Sequence, residues 1–335
     1  EAGSKAAGKE LDQLHSRNCF SPRDISTMTD EEKRKALEAL MFLTEKRDGT
    51  IKGRMVANGK PSREWLNRED STSPTASLES LLLTATVDAH EGRDVLSADV
   101  PNAFIQTKMP ETVEGEARVM IKISGVLVDL LVQLAYETYS PYVVYERGRK
   151  VIYAEVLQAI YGMLMASLLW YKKFRGDLEG IGFEFNPYDP CVANRIVSQK
   201  QQTVRFHVDD LMSSHMDPMV NNDFEKWLNM LYGNYGAVKA TRGTSHDYLG
   251  MRLDFSQTNT VIVDMRAYVA EMIEESMLNL SPKNTDITPA AEDLFAEGSG
   301  DLLMKDKAEL FHKIVAKGLF LCKRARPDIH PTIAV

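Results

Sequence analysis

From Thr203 onward apolar and polar residues alternate up to Val208, two adjacent acids follow as Asp209 and Asp210, and the run resumes through Leu211-Met212-Ser213-Ser214. This pattern predicts a β-hairpin with the acid pair at its tight turn, since Asp tolerates turn geometry and β-branched and aromatic residues flank it. Upstream, the apolar run Val95-Leu96-Ser97-Ala98 ends in Asp99, and Pro101-Asn102 breaks the extended backbone before Ala103-Phe104. A second hairpin is expected where Phe42 to Lys46 and Ile51 to Ala57 flank an Arg47-Asp48-Gly49 turn.

Helical periodicity fills the intervals. The first residues, up to about Lys35, read as one or two short helices separated by Ser21-Pro22-Arg23-Asp24. Thr29 opens a helix with acids in its first turn and Ala36, Leu37, Leu40 and Met41 as its apolar face. Another begins at Ser73-Pro74 and carries Leu78, Leu81, Leu82, Ala85 and Ala89 towards His90, a helix-end surface residue. Trp170, Phe174 and Leu178 continue at helical spacing as core, and Phe224 to Leu231 is amphipathic. Val238-Lys239-Ala240 predicts an edge strand, and Tyr248 to Leu253 with Val261 to Val263 a further hairpin. Met265 to Leu278 and Ala308 to Arg324 predict two helices joined by an acidic loop. Further upstream, the 111–158 segment contains a strand (Val119 to Ile123), a helix (Leu127 to Leu134) and a hairpin through Glu146-Arg147-Gly148-Arg149.

At 335 residues the length allows two or three compact units with a sizeable core. The longest apolar run, Gly125 to Leu134, is interrupted by Asp129 and is too short to cross a bilayer, so no membrane partner is expected. Glu1-Ala2-Gly3-Ser4-Lys5 lacks the apolar core of a signal peptide. Cys19, Cys191 and Cys322 are scattered, which suits a reducing compartment and offers no zinc pattern.

The formal net charge of −8 argues against a polyanionic partner at first sight. Phosphate contacts need only a local basic surface, however. Lys46, Arg47, Lys52, Arg54, Lys60, Arg63 and Arg68 outnumber Asp48 and Glu64 in one stretch. Lys313, Lys317, Lys323, Arg324 and Arg326 form a second stretch without an acid, while acids concentrate at Glu111 to Glu116 and Glu292 to Asp301. Taken singly, these lysines also fit ordinary solvated faces.

Two carboxylates held side by side repel each other and are steadied by a hard cation such as Mg²⁺, which keeps several waters and is completed by substrate phosphates. Asp209-Asp210 alone equally fits a solvated turn, and Asp99 alone a strand exit. The two segments together resemble motifs A and C of a reverse-transcriptase palm. From about Leu40 to Ile329 the chain resembles a copia-type retrotransposon reverse transcriptase, its blocks falling in family order. They are Glu45-Lys46-Arg47-Asp48-Gly49 with Lys52-Gly53-Arg54-Met55-Val56-Ala57, Asp99 through Phe104, and Ala159-Ile160-Tyr161-Gly162 with Trp170-Tyr171. Gly182-Phe183 with Tyr188-Asp189-Pro190-Cys191, His207-Val208-Asp209-Asp210, Asp247-Tyr248-Leu249-Gly250 and Arg326-Pro327-Asp328-Ile329 complete the series.

The resemblance implies an α+β right-hand polymerase, with fingers, palm and thumb and an antiparallel palm sheet backed by helices. It assigns 1–40 to an N-terminal helical extension without chemistry and 41–95 to fingers with a palm-support helix. It assigns 96–255 to the palm, with 111–158 as a lineage-specific insertion, and 256–335 to the start of the thumb or connection. It implies an RNA-directed DNA polymerase in which Asp99, Asp209 and Asp210 hold two Mg²⁺ (Mn²⁺ being the alternative ion) about 3.5–4 Å apart. Asp210 is the least direct ligand and acts mainly through the local field.

Lys52 and Arg54 would contact the nucleotide triphosphate, Phe104 would crowd the sugar 2′ position, and Met165 would lie near the sugar. Lys239 would donate a proton to pyrophosphate. His207, Tyr248, Lys317, Lys323 and Arg324 would meet primer or template. Tyr161 begins the long motif B helix in this reading. The sequence departs from the family where Met165 replaces a usual Gln, Asn58 a usual basic residue with Lys60 nearby, and His207 a usual Tyr.

Implied partners are an RNA or DNA template with its primer, deoxynucleoside triphosphates, and a ribonuclease H domain or other polyprotein parts outside this chain. The implied location is the cytoplasm, in virus-like particles, with nuclear access. The other readings are a catalytically decayed relic that binds nucleic acid, motivated by Met165 and Asn58, and a scaffold in which Asp209-Asp210 is an ordinary turn.

Overall fold

The computed structural model describes residues 2–46, 49–111, 117–276, 288–290, 294 and 302–334. The Arg47-Asp48 pair of the expected turn and most of both acidic stretches fall outside them. The architecture is mixed α+β, built on three sheets.

The chain opens with helix α1 (Ala2–Ser16), strand β1 (Phe20–Pro22) and helix α2 (Asp30–Lys35). Thr29 caps α2 through a capping box with Glu32, as its sequence signature predicts. The helix stops at Lys35, however, and β2 (Leu37–Glu45) follows. Leu40 and Met41 are therefore on opposite faces of a strand rather than on one helical face. Spacing that fits a helix is overridden by pairing on both sides, with β3 (Ile51–Ala57) antiparallel and β5 (Met120–Ser124) parallel.

Helices α3 (Arg68–Ser71) and α4 (Leu78–Glu91) lead into β4 (Asp94–Asp99). Ser77, not Ser73, caps α4, and Gly92 closes it at φ +62. Beyond β5 come α5 (Val126–Leu134), α6 (Tyr136–Tyr139), β6 (Val144–Glu146) and β7 (Arg149–Val156). These complete the first sheet, ordered β1-β7-β5-β2-β3 with β6 on β7. The 111–158 segment is thus not an insertion in the sheet that carries Asp99. It shares a sheet with the β2–β3 hairpin, because β5 and β7 bury Ile121, Ile123 and Ile152 with Leu11 and Leu14 of α1.

Helix α7 (Ala166–Glu179) begins five residues after Tyr161, so Tyr161-Gly162 is a turn and not the first helical turn. Strands β8 (Glu184–Phe185), β9 (Val192–Val197), β10 (Lys200–His207) and β11 (Asp210–His215) follow. Helix α8 (Pro218–Tyr232) and β12 (Lys239–Arg242) complete the second sheet, ordered β12-β4-β11-β10-β9-β8. One face packs Leu96, Ala98, Phe206 and Leu211 under Trp170, Phe174 and Leu178 of α7 and Phe224 and Leu228 of α8. The other face packs Val95 and Met212 against Leu81 and Ala85 of α4 and the third sheet. Cover on both faces explains why β11 is buried from Leu211 to His215.

The third sheet is β13 (Ser245–Tyr248), β14 (Met251–Asp254) and β15 (Ile262–Asp264). Tyr248-Leu249-Gly250-Met251 is itself a hairpin turn, with Leu249 and Gly250 both at positive φ. Helices α9 (Arg266–Ser276), α10 (Lys305–Arg324) and α11 (His330–Ala334) finish the described chain. Among the described residues, no helix is long and apolar enough to cross a membrane.

Candidate active site

Register places four ionisable side chains on one rung of the second sheet. Lys239 on β12 pairs with Asp99, Asp99 with Asp210 on β11, and Asp210 with His207 on β10. Directly opposed residues point to the same face with Cβ atoms about 4.5–5.5 Å apart. The rung therefore reads cation, acid, acid, imidazole. Asp209 stands just beyond it, in the two-residue link between β10 and β11, and its carbonyl accepts a hydrogen bond from the Val100 amide at 3.1 Å. Asp99, Asp209 and Asp210 are thus gathered at one end of the sheet.

The turn differs from expectation in which residue it bends. Asp210 already lies on the return strand, and the left-handed position is Val208, at φ +60. A β-branched residue there is a genuine outlier, costing about 1–3 kcal/mol. Trp170 holds it: its indole Nε1–H donates to the Val208 carbonyl at 2.7 Å. Trp170 is itself fixed between Phe174 and Tyr232, whose ring centroids lie 5.5 and 5.2 Å away. An aromatic whose spacing marks it as core also fixes the turn that carries an acid.

The cationic side of the site comes from β3. Its residues alternate, with Gly53, Met55 and Ala57 buried and Lys52 and Arg54 exposed. The Arg54 guanidinium lies 4.4 Å from the centre of the Tyr161 ring, a cation–π contact. Tyr161 is held there because the Ala57 amide donates to its carbonyl at 2.8 Å. Gly162, at φ +88, permits that approach, since a Cβ would fall 2.2 Å from the Ala57 oxygen. The other neighbour of the Tyr161 ring is Phe104, at 4.8 Å. Asn102 at φ +54 and a hydrogen bond from Gln106 to the Pro101 carbonyl (2.7 Å) bend the chain after Asp99 and bring Phe104 to the junction of the first two cores.

Electrostatics tie these groups together. Burial, and then the Asp99 charge, pushes the Asp209 carboxyl above its ordinary value, with Arg54 and His207 opposing. Burial and the Asp209 and Asp99 charges do the same to Asp210, with His207 opposing. Lys52, exposed on the strand, is still pulled down by partial desolvation and by Arg54, Lys46 and Lys239, while Glu10 of α1 opposes. Acids that repel each other thus face cations that repel each other. That arrangement suits a ligand carrying both phosphates and a divalent ion.

Other expected site residues lie elsewhere. Met165 precedes α7 and lines a cavity of about 520 Å³ with Leu37, Trp65, Met120 and Met163, and none of the three acids reaches that cavity. Tyr248 is 4% exposed, so its ring offers no surface to a primer; its hydroxyl donates to the Asp210 carbonyl at 3.4 Å. Lys317 is paired with Glu275 at 2.8 Å and Glu271 at 3.3 Å. The Arg324 guanidinium lies 3.5 Å from the centre of the Phe320 ring, and Lys323 is exposed on α10. Two residues not singled out from sequence join the site. Tyr161 sits beneath Arg54, and Glu10 of α1 accepts from the Met55 amide at 3.2 Å. The glycine after Tyr161 was the available signal for the first; nothing local marks the second.

Among the described residues, no three acid, imidazole or thiol groups converge tightly enough to ligate one ion in this conformation. The donor set still fits a hard divalent cation. Asp99, Asp209 and Asp210 offer carboxylate oxygens whose repulsion a cation would relieve, on a site open to substrate oxygens. The His207 Nδ1 beside them is buried without a hydrogen-bond partner.

No protein-family model and no curated protein sequence matches the chain. Similar solved structures include a foamy viral protease-reverse transcriptase in complex with double-stranded DNA, 12% identical at a TM-score of 0.44, covering 93% of this chain and 47% of that one. Another is a telomerase from Candida albicans in complex with a telomeric RNA fragment, 10% identical at 0.38, covering 94% and 59%. A mutant of the prototype foamy virus protease-reverse transcriptase is 13% identical at 0.42, covering 95% and 37%. The chain spans less than two thirds of the length of each. Likeness at this level assigns no residue a role.

Proposed function

We propose that the chain is an RNA-directed DNA polymerase of a copia-type retroelement, adding deoxynucleotides to a primer under the direction of an RNA or DNA template. The observation that carries this reading is the Lys239–Asp99–Asp210–His207 rung, with Asp209 beside it and Arg54 charged opposite. In right-hand terms the first sheet serves as fingers, the second as palm, and the third sheet with α9 and α10 as the base of a thumb.

Asp99 and Asp209 would hold Mg²⁺, or Mn²⁺ in its place, and Asp210 would sharpen the negative field beside them. Bound as a pair, such ions supply activation of a primer 3′-hydroxyl and neutralisation of the triphosphate. Arg54 grips phosphate oxygens through its planar fork, preset by stacking on Tyr161, and Lys52 adds a point charge. Phe104 fills the space a ribose 2′-hydroxyl would need. Lys239, next to Asp99 on the rung, holds the proton passed to the departing pyrophosphate. His207 lies on the primer side. The work takes place in the cytoplasm, in virus-like particles and with access to the nucleus, alongside a ribonuclease H domain supplied by other polyprotein parts.

Primer extension on a homopolymer template tests this, with Asp209→Asn as control. Extension by the unchanged chain and none by the variant is expected. A second reading, a decayed relic that binds nucleic acid without extending it, draws on Met165 lining a cavity that none of the acids reaches and on the incomplete convergence of the acids. Salt-sensitive duplex binding without extension would favour the relic.

A further inference from the structure

Helix α1 lies across the face of the β2–β3 hairpin opposite the one that carries Lys52 and Arg54. Strand β3 is the outer strand of its sheet, so its outward backbone groups need cover. α1 supplies it with residues on one helical stripe. A Cβ on Gly3 would lie 2.9 Å from Leu43 Cδ1, and a Cβ on Gly53 would lie 2.7 Å from the Ala6 carbonyl oxygen. One turn further, Glu10 Oε1 accepts from the Met55 amide at 3.2 Å. Leu11 and Leu14 then enter the core of the first sheet. Arg54 sits between Gly53 and Met55, both of which α1 meets. The Glu10 charge is also felt at Lys52 and at Tyr161, the ring on which Arg54 rests.

We infer that α1 is a brace for the nucleotide-binding strand, with Glu10 and Gly53 as positioning residues that set where Arg54 and Lys52 meet the triphosphate. This inference rests on the polymerase reading and adds to it a function for a segment that has no chemistry of its own. Small residues at the crossing fix how closely helix and strand approach, and the Glu10 carboxylate fixes their register. Arg54 gains a defined position over Tyr161 from the strand that α1 holds.

Steady-state nucleotide incorporation on a primed template separates the cases. Gly53→Ala puts a methyl against the Ala6 backbone and is expected to raise the nucleotide KM about fivefold with kcat within about twofold. Glu10→Ala, which adds no bulk should Gly53→Ala fail to fold, is expected to raise it about threefold. Glu10→Gln keeps an acceptor oxygen for the Met55 amide and should retain the unchanged chain's KM. In an Arg54→Ala background the Glu10→Ala effect should shrink to the part that passes through Lys52, because the brace acts through both cations of the strand. Template–primer affinity should be the same in all variants, which general loosening of the fold would not leave alone. Unaltered nucleotide KM in a folded Glu10→Ala, or equal losses of KM and template affinity, would overturn the brace while leaving the polymerase reading standing. No incorporation by the unchanged chain would overturn the polymerase reading, and the brace with it.

Discussion

The β2–β3 hairpin with its following loop and helix α10 carry similar runs of cations, and their surroundings make them different objects. On α10, Lys313 lies 2.8 Å from Glu275 and Lys317 reaches both Glu271 and Glu275, and just after the helix Arg326 lies 2.7 Å from Asp328. Glu275 is held down to about 2 by the two lysines. At the hairpin and the loop after it, Lys46, Lys52, Arg54, Lys60, Arg63 and Arg68 have no carboxylate within 4.0 Å among the described residues. Lys52 feels the charge of Glu10, and Arg54 acts on the Asp209 carboxyl. A basic run in sequence is therefore a phosphate surface only where the fold leaves it without internal acids. By that criterion the hairpin is the candidate, and α10 is mainly a helix stapled to its neighbour.

The contrast can be broken from either side. The largest effect is expected at the acids opposite the hairpin: Asp99→Asn should lower primer extension by ~10³-fold or more while duplex binding persists. A stability signature accompanies the neighbouring change. The Asp209 and Asp210 carboxyls sit above their ordinary value in the folded chain, so their ionised forms weaken the fold at neutral pH. That penalty is full above the raised values and fades as pH falls through them towards the unfolded value near 3.8. Asp209→Asn should accordingly raise Tm at pH 7, with the gain shrinking in melts at pH 4.

Next in size, Arg54→Ala should raise the nucleotide KM about 30-fold with a smaller change in kcat, since a phosphate clamp is lost. A more modest gain is expected from Glu271→Gln combined with Glu275→Gln. Freeing Lys313 and Lys317 should tighten duplex binding about threefold at low salt and steepen its salt dependence by about one ion. Lys317→Ala alone, removing a cation already occupied, should leave duplex affinity within about twofold. A loss there as large as that of Arg54→Ala in nucleotide binding would erase the distinction between the two stretches.

Much of the acid site is legible in the chain because it is local. Alternation from Thr203 to Ser214 marks β10 and β11, and the apolar run ending at Asp99 marks β4. The edge position of Lys239 is also readable, although its register opposite Asp99 is not. What escapes is set by distant partners. Ala36, Leu37, Leu40 and Met41 fit a helix until β3 and β5 pair with that stretch. The 111–158 segment gives no sign that Ile121 will lie beside Leu37. The acids that occupy α10 come from α9 and from Asp328, so counting charge within the basic run misjudges it. The strain at Val208 is hidden as well, because a β-branched residue is the last one expected at positive φ. Only the Trp170 hydrogen bond explains how it is kept.

Residues 99, 209 and 210 are proposed to act together on one pair of divalent cations. Titration of Mn²⁺ into the chain in the presence of a deoxynucleoside triphosphate, read by electron paramagnetic resonance, tests it most directly. Saturable binding is predicted for the unchanged chain, retained in His207→Ala and lost in both Asp99→Asn and Asp209→Asn. Binding that survives Asp99→Asn undiminished would rule out a cation site shared by the three acids.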